Sequence, residues 1–310
     1  MTERSRASSL DVLSVVPSST VSGSLTSIWS AFQEGRDRGD SPFVSAVNAA
    51  AHTDRLGFAF AVGYPAALES LVPGVEFPAA LCVTEAAGNS PRATETTLEP
   101  NNGAFVLRGT KSFVTFGNLA TTLIVSARIG VRPDGRPSIV AVRVPAGREG
   151  VRLEELPDTP FVPEVPHAAV RFEDVAVSPE ERLAGDGYLD YVKRFRTVED
   201  IHVAGATIAY LVGLARRVGA PVASLAGLTA DLVALEQLSS QPPLDPRVHV
   251  ALHGVYSRLE TFVSGEEFSA ILESAAADER TRWARDQRLL QVAGKAREAR
   301  FARAIDSITE

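Results

Sequence analysis

The sequence predicts an α+β protein in which an N-terminal helical unit is followed along the chain by a β unit and then by a C-terminal helical bundle. From Ser27 to Leu71 the apolar residues recur at helical spacing, interrupted by Gly and Pro. From about Ala79 to Leu183 the chain consists of short runs rich in Val, Ile, Thr and Phe, separated by turn clusters such as Arg132-Pro133-Asp134-Gly135. Beyond Gly187 the helical spacing returns. The middle region is therefore expected to form an antiparallel β-barrel or sandwich.

These changes in residue composition and apolar spacing divide the chain into four segments. Residues 1–24 are rich in Ser and Thr and lack helical spacing, which predicts a flexible arm. Residues 25–78 predict a short N-terminal helical domain, too small to be stable without packing onto a larger body. Residues 79–183 form the predicted β domain, and residues 184–310 the predicted C-terminal helical domain.

Charge and composition narrow the choice of partners. The 310 residues carry a net charge of −7, with a pI near 5.4, which argues against a nucleic-acid-binding surface. No run approaches the ~18 uninterrupted apolar residues that a membrane span requires, so no membrane association is expected. The first residues lack the pattern of a secretory signal, and a single cysteine, Cys82, excludes an internal disulfide framework. The expected location is the cytoplasm.

Several common functional motifs are missing from the sequence. It contains no GxxxxGK[ST] phosphate loop, no GxGxxG between a strand and a helix, and no GxSxG nucleophile elbow. His249 and His253 are four residues apart on a predicted helix, but no carboxylate stands at the usual offset, so amphipathic-helix residues are the preferred interpretation and no metal is expected. Cys82 lies between two apolar residues of a predicted strand and is interpreted as buried rather than nucleophilic.

Three segments at consistent spacing resemble the acyl-CoA dehydrogenase family. Leu81–Ser90, LCVTEAAGNS, resembles that family's CVTEPxAGSD signature. Arg108–Thr115, RGTKSFVT, resembles its GxKxF/W-I/V-T segment, and Val170–Pro179, VRFEDVAVSP, resembles the strand that closes its β domain. The order of helices, β unit and helices also matches. The resemblance therefore implies the fold of that family.

The resemblance implies that the β domain carries the isoalloxazine ring of FAD. A flavin that accepts hydride needs one face against protein, with hydrogen-bond donors at its edge. By the resemblance, Phe113 stacks against the ring, Thr115 bonds near N5, Ser90 lies toward the pyrophosphate, and the backbone around Val83 and Thr84 serves the flavin edge. The implied cofactor-binding set is Val83, Thr84, Ser90, Phe113, Val114 and Thr115. The alternative is that Phe113 is an ordinary core residue and that the threonines merely suit strands.

The chemistry of the family also needs a carboxylate base, which removes the α-proton of an acyl thioester. In most members this glutamate lies in a stretch that Arg285–Ala296 resembles, but here Gly294 occupies its place. Other members carry the base on the first long C-terminal helix, where Thr197–Gly205 places Glu199. Asp200 stands where an arginine is usual. The alternative is that Glu199 and Asp200 only offset the dipole of a helix N-terminus.

Two functions remain open on these residues. The first is an FAD-dependent oxidoreductase that carries out α,β-dehydrogenation of an acyl thioester, with Glu199 as the catalytic base. The second is a non-catalytic paralogue that binds an acyl thioester or a partner subunit. The missing terminal glutamate, whose place Gly294 takes, and the absence of cofactor elements such as the family's Arg-x-x-Phe-Gly favour the second function. The preserved LCVTE and KSFVT segments favour the first.

The resemblance also implies the partners. The substrate would be an acyl-CoA or an acyl-carrier thioester, which places the protein in fatty acid metabolism. Members of the family assemble as homodimers or homotetramers, and an electron-accepting flavoprotein is a further implied partner.

Overall fold

The computed structural model describes residues 7–16, 19, 21 and 23–309. The chain forms two compact units. A helical unit comprises Met1–Ser70, Pro160–Glu164 and Thr197–Glu310, and a β unit comprises Leu71–Thr159 and Val165–Arg196. The helices that precede and follow the β unit in the sequence therefore belong to one body. The predicted α+β fold class is confirmed, while the four-segment division of the chain stays a prediction.

The helices follow the predicted periodicity. They are α1 (Leu25–Asp37), α2 (Pro42–Ala50), α3 (Leu56–Leu71), α4 (Lys193–Arg217), α5 (Ala226–Ser239), α6 (Pro246–Val263), α7 (Glu266–Glu273), α8 (Ala277–Asp286) and α9 (Gly294–Thr309). Ser41 caps α2 by accepting a hydrogen bond from the backbone N–H of Val44, and Pro42 occupies the first turn, where a missing N–H costs nothing. A 3-10 turn, Gln287–Gln291, separates α8 from α9.

Glycines in α4 allow the N-terminal helices to approach it closely. A Cβ at Gly213 would lie 1.9 Å from the backbone oxygen of Ala51, and one at Gly205 would lie 2.5 Å from the ring of Phe43. The small N-terminal helices thus bury their apolar faces against the long central helix. Packing of this kind supplies the larger body that the sequence analysis required for their stability.

Part of the segment 1–24 is ordered. Ser9–Ser14 form a 3-10 turn with a capping box made by Ser8 and Asp11. Val12 and Val15 are almost fully buried, and this burial accounts for the order where a flexible arm was expected. The remaining residues of the predicted arm, 1–6, 17, 18, 20 and 22, lie outside the described residues.

The β unit is one curled seven-stranded sheet. Its strands are β1 (Ala79–Cys82), β2 (Thr97–Asn101), β3 (Ala104–Thr115), β4 (Thr122–Val131), β5 (Pro137–Pro145), β6 (Val151–Glu155) and β7 (His167–Val177). Their order is β1-β4-β2-β3-β7-β6, with β5 also on β4. The pairs β1–β4 and β2–β4 are parallel, whereas an antiparallel arrangement was expected; the other pairs are antiparallel. Leu107, Val125, Val142 and Phe172 lie in its core.

One helical stretch, Gly187–Arg217, is long and apolar enough to cross a membrane by length and composition. Its most apolar window has a mean hydropathy of 1.3, but 83% of that window is buried inside the protein. Burial of this extent is what the central helix of a packed bundle requires, so the hydropathy is explained without a membrane.

Substitution of Gly213 by alanine tests the close approach of α2 and α4. The new Cβ would collide with a backbone oxygen, which cannot move aside cheaply, so Gly213→Ala should lower the free energy of unfolding by about 1–3 kcal/mol. Gly227 in α5 has open space around it, so Gly227→Ala should leave stability unchanged or raise it by up to ~1 kcal/mol through helix propensity. Urea unfolding of both variants measures the difference, and equal effects would contradict the packing.

Candidate functional site

A β-bulge brings the first two signature segments together. On β3, Lys111 pairs with Val170 and Val114 pairs with Ala168, so that three steps on β3 match two on β7. This extra residue is the mark of a bulge, which frees one backbone group from the ladder. The backbone N–H of Ser112 donates instead to the carbonyl oxygen of Thr84, at 2.8 Å. The LCVTE and KSFVT segments are therefore adjacent in the structure.

A buried ion pair also joins these two segments. Lys111 Nζ lies 2.6 Å from Glu85 Oε1, and the two side chains are 0% and 4% exposed. Lys111 also donates to the carbonyl oxygen of Val83, at 3.4 Å. The carboxylate of Glu85 accepts the backbone N–H groups of Glu95, at 2.7 Å, and Thr96, at 3.2 Å. Each charge is therefore met by further polar groups, as a buried ion pair requires.

The ion pair and its burial shift the pKa values of both Glu85 and Lys111. Burial alone would raise the pKa of Glu85, but the hydrogen bond and charge of Lys111, together with the backbone donors, outweigh burial and hold that pKa below its usual value. Burial lowers the pKa of Lys111, and the carboxylate of Glu85 opposes that shift. The short contact and the two backbone donors to Glu85 identify the carboxylate as the ionised form.

The outer side of this strand presents an aromatic surface. The ring of Phe113 is 45% exposed and stacks on His167, with the ring centroids 4.1 Å apart. Thr115 pairs with His167 in the ladder. Burial lowers the pKa of His167, which favours the neutral imidazole. The side-chain hydroxyls of Thr84 and Thr115 make no hydrogen bond to any other residue that the structure describes.

The predicted cofactor-binding residues differ in where their side chains lie. Phe113 is exposed, whereas the side chain of Val114 is fully buried in the core of the sheet, so that only its backbone is available to a ligand. Val83 and Thr84 follow β1 directly and are partly exposed. His167 was missed by sequence reasoning, because its contact with Phe113 depends on strand pairing over 54 residues, for which the sequence has no local signal.

Ser90 does not share a hollow with Phe113 and His167. It lines a hollow of about 840 Å³. Arg92, Arg132 and Arg136 line the same hollow, with Tyr188 among its other lining residues. Arg132 pairs with Asp186, and Arg136 is 3.7 Å from Asp134. Within residues 23–309, Arg92 has no carboxylate within 4.0 Å. The lining of the hollow therefore contains three guanidinium groups, of which that of Arg92 has no carboxylate partner among the described residues. This grouping was not predicted, because Arg132 was interpreted only as part of the turn Arg132–Gly135.

Glu199 lies in the helical unit and lines a separate, largely apolar cavity of about 490 Å³, a volume that includes its open mouth. The cavity is lined by Phe60, Glu199, Asp200, Val203, Ala204, Thr207, Tyr256, Leu259, Leu289, Leu290, Val292, Ala293 and Arg297. The last residues before Gly294 thus line the same cavity as Glu199. Gly294 itself lines a different hollow, together with His249 and His253, so it is the segment before Gly294 that shares the cavity with Glu199.

Asp200, the neighbour of Glu199, is held by two arginines of α9. Its carboxylate pairs with Arg297, at 3.2 Å, and with Arg300. Burial raises the pKa of Asp200, an effect that the charges of Arg300 and Arg297 oppose. The Tyr256 hydroxyl donates to the backbone oxygen of Asp200, at 3.1 Å, and the Arg297 guanidinium lies 4.0 Å from the Tyr256 ring centroid. Two C-terminal arginines of the sequence are therefore internal ion-pair partners.

His202 and His253 make contacts that suit a structural role. His202 is buried in α4; its Nδ1 donates to the carbonyl oxygen of Val198, and its Nε2 lies 3.0 Å from the Ser70 hydroxyl. Burial lowers the pKa of His202 to about 4. His253 stacks on Phe301, at 3.7 Å between centroids. Among the described residues, no group of three or more His, Cys, Asp or Glu side chains is placed to hold a metal ion.

Cys82 is fully buried at the end of β1. Burial raises the pKa of its thiol to about 12. The sequence interpretation of this residue as buried is confirmed, and its thiol stays protonated at neutral pH.

Comparisons with known proteins match the middle of the chain to a known domain family. Residues 80–175 match the family model described as "Acyl-CoA dehydrogenase, middle domain". A protein of Bacillus subtilis (strain 168), "Probable acyl-CoA dehydrogenase YngJ", is 31% identical over 130 residues, which cover 42% of this chain and 33% of that protein. The match thus spans about a third of the length of that curated relative.

Solved structures show the same fold at low sequence identity. Butyryl-CoA dehydrogenase from Megasphaera elsdenii superimposes with a TM-score of 0.60 and 17% identity, covering 85% of this chain and 81% of that one. The FAD complex of PigA superimposes with a TM-score of 0.58 and 12% identity, covering 86% and 82%. The resemblance that the three segments indicated is confirmed: residues 80–175 belong to the acyl-CoA dehydrogenase middle-domain family, and the chain has the acyl-CoA dehydrogenase fold.

Removal of one partner of the Lys111–Glu85 pair tests its structural role. Lys111→Met leaves the carboxylate of Glu85 buried without its cation, so it should lower the free energy of unfolding by about 3–5 kcal/mol. The double variant Lys111→Met/Glu85→Leu removes both charges and should recover a large part of that loss. Denaturant unfolding measures both variants.

The matched control is the exposed pair between Arg108 and Glu99. Arg108→Met makes the same kind of change on the same strand, and should alter stability little because solvent screens the pair. If Lys111→Met were as mild as Arg108→Met, the ion pair would not organise this part of the sheet.

Proposed function

We propose that this protein is an FAD-dependent oxidoreductase that removes hydrogen from the α and β carbons of an acyl thioester, with Glu199 as the base. The observation that carries the proposal is the position of Glu199, which lines an apolar cavity together with the segment that ends at Ala293. The family relationship of residues 80–175 supports the same chemistry.

The residues of the β unit fit an FAD cofactor. Phe113 offers an exposed aromatic surface backed by His167, and the hydroxyls of Thr84 and Thr115 lack partners within the described chain. These groups would hold the flavin ring and its polar edge, with the backbone of Val83 and Val114 beside them. FAD, when bound, supplies the acceptor for a hydride.

The cationic hollow around Ser90 fits phosphate groups. Arg92, Arg132 and Arg136 converge there, and guanidinium groups bind phosphate oxygens through paired hydrogen bonds. These arginines would replace part of the charge that the missing Arg-x-x-Phe-Gly element supplies elsewhere in the family. The phosphates would be those of FAD or of the thioester's phosphopantetheine handle.

Glu199 is suited to take a proton from carbon. The lining of its cavity is mainly apolar, and a carboxylate that borders the space for an acyl group is placed to act as a general base toward it. Asp200 cannot share this role, because its carboxylate is already paired with Arg297 and Arg300. The two adjacent carboxylates are thereby assigned different tasks, Glu199 in proton transfer and Asp200 in structure.

The partners follow from this chemistry. The substrate would be an acyl thioester of coenzyme A or of a carrier protein, in fatty acid metabolism in the cytoplasm. The reduced cofactor would pass its electrons to an accepting flavoprotein, and the chain would assemble as a homodimer or homotetramer. A second candidate, a non-catalytic acyl-thioester-binding paralogue, is favoured by one specific observation, the glycine at position 294.

Substrate-driven bleaching of bound flavin tests the role of Glu199. With FAD loaded, addition of an acyl-CoA should bleach the visible flavin absorbance of the wild type, and Glu199→Gln should slow that reaction by at least about a hundredfold, the usual contribution of a general base. Stopped-flow absorbance measures both rates.

The control is Glu260→Gln, which changes an exposed acid of the same unit outside the apolar cavity and should bleach at the wild-type rate. Bleaching by Glu199→Gln at the wild-type rate would place the base elsewhere. A wild-type protein that binds FAD and acyl-CoA but never bleaches would be the non-catalytic paralogue.

A further inference from the structure

Among the described residues, none that lines the apolar cavity beside Glu199 offers an available cation. Its one arginine, Arg297, is paired with Asp200, donates to two backbone carbonyls and stacks on Tyr256. A second carboxylate on an acyl group would therefore find no partner there, and burying it unpaired would be costly. The volume of about 490 Å³ includes open solvent at the mouth, so the enclosed part of the cavity is smaller than this figure. A small apolar enclosure suits a short, uncharged acyl group better than a long or charged one.

One wall of this cavity is a short segment between α8 and α9, which we call the wall segment, Gln287–Ala293. Leu289, Leu290, Val292 and Ala293 contribute to the cavity lining. Ala293 has a φ of +60°, a conformation that strains any residue with a Cβ. Since a strained backbone persists only where its surroundings enforce it, the wall segment depends on contacts from outside itself.

Arg297 supplies such contacts. Its guanidinium donates to the carbonyl oxygens of Leu290 and Val292, both at 2.8 Å, and pairs with Asp200 on α4 at 3.2 Å. The arginine side chain is 12% exposed, so these charge-assisted bonds are poorly screened by solvent. Arg297 thus clamps the wall segment to α4.

A second hollow also borders the wall segment. It is lined by Glu260, Val263, Ser264, Ala284, Gln287, Arg288, Leu290 and Gln291. Leu290 lines both spaces, so the two spaces border the same side chain. Release of the clamp would let the wall segment move into the second hollow and lengthen the cavity.

We propose that Arg297 is the specificity-determining residue of this site, limiting it to short, uncharged acyl chains by clamping the wall segment at the end of the cavity. This assignment rests on the proposed acyl-thioester function. It goes beyond that function because it names the chain class and the residue that sets it.

Binding of S-alkyl-CoA thioethers tests the assignment without any turnover, since they lack the thioester carbonyl and cannot be dehydrogenated. Isothermal titration calorimetry with S-butyl-, S-octyl- and S-dodecyl-CoA should show the wild type binding the butyl probe at least about tenfold more tightly than the dodecyl probe. Arg297→Met keeps an apolar stem but removes the clamp, and should reverse or abolish that preference. A methyl-terminated butyl probe should also bind more tightly than its ω-carboxylate counterpart.

The matched control is Arg288→Met, the same substitution on the wall segment at an exposed arginine that makes no contact with these carbonyls. It should keep the wild-type length preference. If Arg297→Met fails to fold, as judged by its circular dichroism melt, Leu290→Ala opens the same wall without touching the clamp and should admit the dodecyl probe.

The outcomes separate this assignment from the proposed function. A length preference that is unchanged in both Arg297→Met and Leu290→Ala, a wild type that binds the longest chain best, or a failure to bind any probe overturns the assignment. Flavin bleaching with an unchanged length preference would leave the function standing and the clamp refuted. A clamp-dependent length preference without bleaching would do the opposite.

Discussion

The buried contact between Lys111 and Glu85 is the constraint on which the β unit depends. Two opposite charges are removed from water, and this arrangement is tolerable only because each of them also meets backbone groups. The geometry that satisfies them places the end of β1 against the bulge in β3. Ser112 is then free to bond Thr84, and Phe113 is turned outward. The surface proposed for the flavin thus depends on the hydrogen bonds that satisfy this buried ion pair.

The helical unit also contains a buried charge that is paired with opposite charges. An acid, Asp200, occupies the position at which the family resemblance leads one to expect an arginine, and the positive charge comes instead from Arg297 and Arg300 on α9. Glu199, the neighbour of Asp200, lines the apolar cavity. Arg297 also donates to two backbone carbonyl oxygens of the segment before Gly294 and so holds that segment in position.

Much of the fold could be predicted because its signals are local. The strand and helix periods, the cap at Ser41 and the three signature segments are all readable within short windows. The stacking of His167 on Phe113 and the ion pair between Arg297 and Asp200 join residues far apart in sequence, and no local pattern marks such contacts. The order in Ser9–Ser14 was missed because burial of Val12 and Val15, rather than helix propensity, produces it.

The most direct test of this account is the visible absorption spectrum of the purified protein after incubation with FAD and removal of unbound cofactor. The account requires that the β unit holds the flavin ring, so the protein should retain the absorbance of oxidised flavin in near-stoichiometric amount. The double variant Lys111→Met/Glu85→Leu, if folded, should retain much less, since its bulge is no longer anchored. A wild-type protein that stays colourless after loading would contradict the account.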